Sequence, residues 1–398
     1  MDLPNWLLIV PVLAFLIFIH ELGHFAAAKW FGIRVTEFGF GFPPRAFGVS
    51  YRGTVYSVNW IPIGGFVRIV GEEDPTDPES FARQSVLKRS VVLLAGSFMN
   101  LVLPVVIFTV LFMLPHDTLL GGDVIIAGVA PASPANVAGL RPGDAIRSVD
   151  GHPVTHPEKL VDLVRGRAGQ PIELSIRRAP AVTGFRTSPE FMDIASVTVV
   201  PRRNPPKLRV VEVVTDRASE VSLSEARRYD SRLALGDTMT QGAIGVRIGL
   251  ANAKFGRTTD PVWRAVPRSF ETIWNILVFT WNGLVEGVAT RSNPGIAGPI
   301  GIAHATDEVV SRLGISWVFQ LTALLSISLG VLNMLPIPAL DGGRLAFVML
   351  EWVRRGKRIS PKREGLVHLV GFVLVIGLIL VFSYYDIVRI LGGESLIR

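Results

Sequence analysis

No cysteine occurs anywhere in the chain. That excludes disulfides, a thiolate metal cluster and a cysteine nucleophile, so any bound metal must be held by histidine and carboxylates. Charge is also scarce. Asp, Glu, Lys and Arg make up 18% of the 398 residues, against about 25% in an ordinary soluble domain. Histidine is rarer still, with 7 in the chain. The first five residues carry only Asp2, so the basic flank of a cleaved signal peptide is missing and the first apolar run is expected to be retained. The net charge of +7 does not point to nucleic acid, because the basic residues are spread and those in short loops are accounted for by membrane topology.

What is abundant is apolar sequence, 49% of the chain. Four windows, 7–28, 91–114, 315–339 and 365–385, are long enough to span a bilayer as helices. A fifth stretch, 273–285, is shorter, contains Asn275 and Asn282 and is flanked by Glu271 and Glu286, which fits a partly embedded or interfacial helix. Lys29, Arg34, Arg45, Arg52, Arg68, Arg83, Lys88 and Arg89 follow span one, and Arg344, Arg354, Arg355, Lys357, Arg358, Lys362 and Arg363 follow span three. By the positive-inside rule both loops are cytoplasmic, both termini are extracytoplasmic, and residues from about 115 to 270 form an external domain.

Inside the first span sits His20-Glu21-Leu22-Gly23-His24. Ionisable groups at that depth are costly and mark function. Residues i and i+4 share a helix face, so His20 and His24 can reach one metal ion, while Glu21, one position round, can handle protons at its open side. A catalytic zinc takes three protein ligands and a water, and Asp341 is the candidate for the third. Pro336 and Pro338 break the chain before it and Gly342-Gly343 free it afterwards; the plainer alternative is a helix-capping aspartate. His368 fits a packing histidine better than a ligand, and His304 and His116 lie near the membrane edges, where the sequence assigns neither to a motif.

Between spans one and two, 35–41, 54–60 and 65–70 read as strands, followed by an acidic loop over 72–79. These strands, with Gly64 and Gly65 at one bend, offer an edge that could capture an unwound substrate by strand addition. In the external domain we expect strands at 123–129, 145–149, 171–177, 196–200 and 242–250, a short helix from Ser133-Pro134-Ala135 and an amphipathic helix at 158–165. The segment 202–235 reads as a polar, irregular insertion.

Several segments together resemble the site-2 protease family of intramembrane zinc metalloproteases, and within it the bacterial sigma-E regulator proteases. They are His20–His24, Gly39-Phe40-Gly41, Ile63-Gly64-Gly65-Phe66-Val67, Gly298-Pro299-Ile300-Gly301 and the run from Asn333 to Gly343. Ser133-Pro134-Ala135, Ala138-Gly139-Leu140 and Gly143-Asp144 look like a PDZ domain. The resemblance implies a polytopic α-helical membrane protein of the bacterial inner membrane, with four transmembrane helices, a membrane-associated β-hairpin or sheet and an extracytoplasmic α+β PDZ-like domain. It assigns Zn2+ to His20, His24 and Asp341, substrate or oxyanion binding to Asn333, and Glu21 to general-base catalysis near the cytoplasmic side. Asn333 could instead bond a neighbouring helix, and Asn100 raises the same question. The implied partners are the bilayer, transmembrane protein or peptide substrates such as trimmed anti-sigma factors or remnant signal peptides, and a C-terminal peptide for the PDZ domain. Where some family members carry two tandem PDZ domains, this chain has room for one. The expected division is 1–114, 115–255 and 256–398. The rival functions are an inactive membrane scaffold, which predicts a degraded metal triad, and a metal transporter, which predicts paired broken helices.

Overall fold

The computed structural model describes residues 4–71, 79–178, 192–216, 219–231, 233–290 and 297–392. Most of the expected acidic loop therefore lies outside the described residues. The chain divides into two units, one of residues 1–115 with 259–398 and the other of residues 116–258.

The first unit is largely helical. After a short 3-10 turn, α1 (Ile9–Trp30) leads into β1 (Val35–Tyr51) and β2 (Thr54–Ile69), and then into α2 (Val86–Met113). Ser85 caps α2 by accepting the Lys88 N–H, a common use of serine at a helix start. α2 is the central post, packing on α1 and on the later helices α6, α8 and α9 whose ranges follow. α1 and α2 come unusually close, because a Cβ on Gly23 would lie 2.2 Å from the Ala95 carbonyl oxygen. A glycine inside an apolar helix permits this kind of backbone approach.

β1 and β2 are two long, bent strands. Residues 35–40 pair with 65–69 on one side and with 55–58 on the other, while 47–51 pair back onto 54–58. The three expected strands are therefore present, and a fourth segment, 45–51, joins them. Glu37, 6% exposed, is held inside this sheet by Ser57, Arg45 and Arg68 at 2.8, 2.7 and 3.2 Å. Burial pushes its carboxyl up, but the hydrogen bonds from Ser57 and Arg45 and the charges of Arg45 and Arg68 outweigh that and hold it below its ordinary value.

In the second unit β3 (His116–Val129), α3 (Pro134–Val137), β4 (Ala145–Val149), β5 (His152–Pro153), α4 (Pro157–Gly166), β6 (Ile172–Arg178) and β7 (Met192–Val199) come in order. β8 (Lys207–Val211), β9 (Glu220–Ser222), α5 (Leu223–Tyr229), β10 (Thr238–Thr240) and β11 (Val246–Thr258) complete it. The larger sheet runs β11-β3-β4-β6-β7, with β5 on β4, over a core of Val124, Ile126, Ile146, Leu160, Leu174 and Ile176 among others. The segment 202–235 is not irregular. It supplies β8, β9 and α5, which with β10 just beyond it form the sheet β10-β8-β9 and a core of Leu208, Val210, Val221, Ala226, Tyr229 and Met239. Strands of three to five residues give too short an alternation to stand out from their polar flanks.

The chain returns to the first unit with α6 (Val262–Thr290), α7 (Pro299–Leu313), α8 (Trp317–Met334), α9 (Asp341–Val353) and α10 (Pro361–Leu391). Among the described residues four helices are long and apolar enough to cross a membrane: Asn5–Trp30, Val86–Met113, Trp317–Met334 and Lys362–Leu391. Two expectations change. α6 is a helix of 29 residues rather than a short stretch, and the third span stops at Met334, not at 339. Pro336 and Pro338 lack the N–H that continuing the helix would require.

Candidate active site

α1 places His20 and His24 one turn apart on a buried face, each 7% exposed, with rings 4.7 Å apart and nearly perpendicular. The break after α8 turns the chain so that Asp341 opens α9 and its carboxylate reaches back to α1. Asp341 Oδ2 stands 2.8 Å from His20 Nε2 and 3.2 Å from His24 Nε2, and the two Nε2 atoms are 3.1 Å apart. Three residues separated by up to 321 positions thus bring three lone-pair donors to one point.

The tautomers suit a metal. His24 Nδ1 lies 2.7 Å from the Val92 carbonyl oxygen. A carbonyl only accepts, so Nδ1 carries the proton and Nε2 presents its lone pair. The Asn100 amide meets His20 Nδ1 at 3.4 Å through its nitrogen, while its buried oxygen has no partner among the described residues. Turning that amide by half a rotation keeps its shape and lets the oxygen accept Nδ1–H. His20 Nε2 is then a free donor as well.

The geometry fits zinc in two further respects. A tetrahedron with bonds of 2.0–2.1 Å has edges of ~3.3 Å, close to the spacings found. Gly96 of α2 faces the donors, and a Cβ there would lie 2.3 Å from His24 Nε2 and 2.7 Å from His20 Nε2. Any side chain would fill the point on which the donors converge.

Glu21 lines two cavities of about 250 Å³ beside the cluster. One is shared with His24, Phe66, Val67, Phe81, Asp341 and Arg344. The other is shared with His20, Asn100, Asn333, Ala339 and Asp341. Asn333 is thus brought to the cluster. Gly64 and Gly65 line neither cavity. They let the sheet settle on α1: a Cβ on Gly64, whose φ is +73°, would lie 2.9 Å from the Ile17 side chain, and one on Gly65 would lie 3.3 Å from Phe18 Cα. Their neighbours Phe66 and Val67 reach the site instead. Sequence reasoning missed Gly96 and the Val92 carbonyl. A lone glycine inside span two was the only available sign of the first, and a main-chain acceptor leaves no sign at all.

Apolar helices enclosing two histidines and an aspartate, with a glutamate beside them, define a membrane-embedded metalloenzyme of hydrolytic type. The sequence comparisons make this specific. The model of peptidase family M50 matches residues 8–378, and the chain belongs to that family. It is similar to the zinc metalloprotease RasP of Oceanobacillus iheyensis, 29% identical over 457 residues, covering 94% of this chain and 96% of RasP. A Clostridium perfringens protein named as a candidate zinc metalloprotease is 32% identical over 386 residues, covering 96% of this chain and 98% of its own length. The protein is accordingly an intramembrane zinc metalloprotease, and a multi-pass protein of bacterial inner-membrane type.

Proposed function

We propose that His20, His24 and Asp341 hold the zinc ion and that Glu21 is the general base of an endopeptidase that cuts transmembrane segments of other proteins. The observation that carries this assignment is the convergence of His20 Nε2, His24 Nε2 and Asp341 Oδ2 within 3.2 Å of one another, with Glu21 lining the cavities on either side. Zinc held by these three residues would supply a water of lowered pKa and a Lewis acid for the scissile carbonyl. Glu21 takes the proton as the water attacks and returns it to the departing amine. Val92 and Asn100 keep the histidine rings oriented, and the Asn333 amide binds the substrate backbone or the developing oxyanion.

A transmembrane helix has its peptide bonds shielded and must unwind to be cut. The sheet of β1 and β2, including the bend at Gly64-Gly65, binds the extended segment by strand addition, and Phe66 and Val67 lead it towards Glu21. The substrate class is membrane-anchored remnants, such as trimmed anti-sigma factors or remnant signal peptides. The distribution of Lys and Arg supports a cytoplasmic-side site with both termini outside. Residues 115–255 form the extracytoplasmic PDZ-like domain, which selects substrates through a C-terminal peptide, and 1–114 and 256–398 are the membrane parts.

The test is cleavage of a model transmembrane substrate by purified protein in detergent. Glu21→Gln is expected to retain zinc and lose about 10²- to 10⁴-fold in kcat. Undiminished cleavage would exclude Glu21 as the base.

A further inference from the structure

α10 is an unusual neighbour for a metal centre. Only 6% of its most apolar window is buried, so it has little packing to hold it in place. Two of its polar side chains nevertheless make specific contacts at opposite ends. Near its C-terminus the Gly301 N–H donates to Asp386 at 2.7 Å. Near its N-terminus the Ala339 N–H donates to His368 Nδ1 at 2.9 Å.

The second contact falls on the loop that presents Asp341. Residues 335–340 connect α8 to α9, and the loop's internal ties are short: Ile337 N–H to the Leu335 carbonyl at 2.7 Å and Leu340 N–H to the Ile337 carbonyl at 3.1 Å. Ala339 has φ +81°, a left-handed conformation that is unfavourable for a non-glycine residue and persists only where surroundings enforce it. α10 supplies that enforcement at two points on one face, three residues apart. His368 accepts the Ala339 N–H, and a Cβ on Gly371 would lie 2.3 Å from Pro338 Cβ. On its far side the loop is wedged against α9, where a Cβ on Gly342 would meet the Leu335 carbonyl oxygen at 2.1 Å and one on Gly343 the Ile337 carbonyl oxygen at 2.4 Å. A shift at Ala339 is therefore passed to Asp341, two residues on.

We propose that His368 is a positioning residue of the metal centre, holding Ala339 in its left-handed conformation so that the Asp341 carboxylate meets His20 and His24. His368 touches neither the substrate nor the donor atoms. This rests on Asp341 being a zinc ligand.

The experiment measures zinc affinity by chelator competition, with kcat and KM at saturating zinc, on the full chain in detergent. The variants are His368→Asn, whose amide oxygen can stand where Nδ1 stands, His368→Gln, whose oxygen reaches past it, and His368→Leu. Asp341→Ala runs beside them. We expect His368→Leu and His368→Gln to weaken zinc binding about 10- to 100-fold, as loss of an orienting partner does, and to lower kcat more than KM. His368→Asn should recover to within about threefold of wild type. Wild-type affinity in His368→Leu overturns the proposal. Equal loss in all three His368 variants also overturns it, since it would mark a packing role. Should His368→Leu fail to fold, the Asn and Gln pair decides. If Asp341→Ala binds zinc undiminished, the ligand assignment falls and this proposal with it. If Asp341→Ala loses zinc while the His368 variants keep it, only the present proposal falls.

Discussion

Gly96 and His24 meet across the α1–α2 interface so closely that one methyl group on Gly96 would stand 2.3 Å from His24 Nε2. The distance is too short for any carbon–nitrogen contact, and the same methyl would crowd His20 Nε2 at 2.7 Å. By helix propensity alone, Gly96→Ala would gain up to about 1 kcal/mol. The steric argument has the opposite sign and predicts a loss of zinc affinity of at least about tenfold, with cleavage lost in step. Chelator competition on the purified variant checks this.

Asn333 lines the cavity that also holds His20, Glu21 and Asp341. If its amide serves the oxyanion, Asn333→Ala lowers kcat by about 10²-fold, the usual effect of losing one such donor, and leaves zinc content alone. Cleavage kinetics with parallel metal analysis separate this from a packing role, which would lower stability and leave kcat nearly intact.

Glu37 gives the β1–β2 sheet a dependence on acid. Its carboxyl is held below the ordinary value by Ser57, Arg45 and Arg68. For a group lowered by folding, the stabilisation is complete above the unfolded value, near pH 4.3, and is lost as pH falls through the lower folded value. Hydrogen-exchange protection of residues 35–69, corrected for the intrinsic rate, should therefore hold from pH 7 to about 5 and fall below pH 4. Glu37→Gln should be less protected at neutral pH and show less change on acidification.

Arg89 of α2 and Glu351 of α9 form a pair at 2.8 Å with side chains only 7% and 11% exposed, and Arg358 joins Glu351 at 3.1 Å. Arg89→Met leaves the buried Glu351 carboxylate with Arg358, itself 35% exposed, as its remaining cation, so it should cost on the order of 1–3 kcal/mol, less than a fully stranded charge would. The double variant Arg89→Met/Glu351→Met should recover most of the loss. Thermal unfolding in detergent reads both.

The candidate half-site on α1 is legible because its signal is local: two histidines and a glutamate at helical spacing in apolar sequence. Asp341 could be singled out because prolines and glycines mark the broken backbone around it. The β1–β2 segments showed through their β-branched and aromatic residues. Gly96, Val92 and the Ala339–His368 bond were not legible, since each depends on which helix faces which, and apolar helices look alike along their length. The small sheet of β8, β9 and β10 was hidden for another reason. Its core residues, among them Leu208, Val221 and Met239, come from short strands far apart in sequence, and only their meeting makes them a core.

In the proposed site, Asp341 completes the zinc-binding set begun by His20 and His24. The most direct test is the zinc affinity of Asp341→Ala by chelator competition, beside wild type and Glu21→Gln. A three-ligand site that loses one donor binds zinc far more weakly, so Asp341→Ala should come off the column with little or no metal, while wild type and Glu21→Gln each hold about one ion per chain. Zinc bound to Asp341→Ala with wild-type affinity would exclude Asp341 as a ligand.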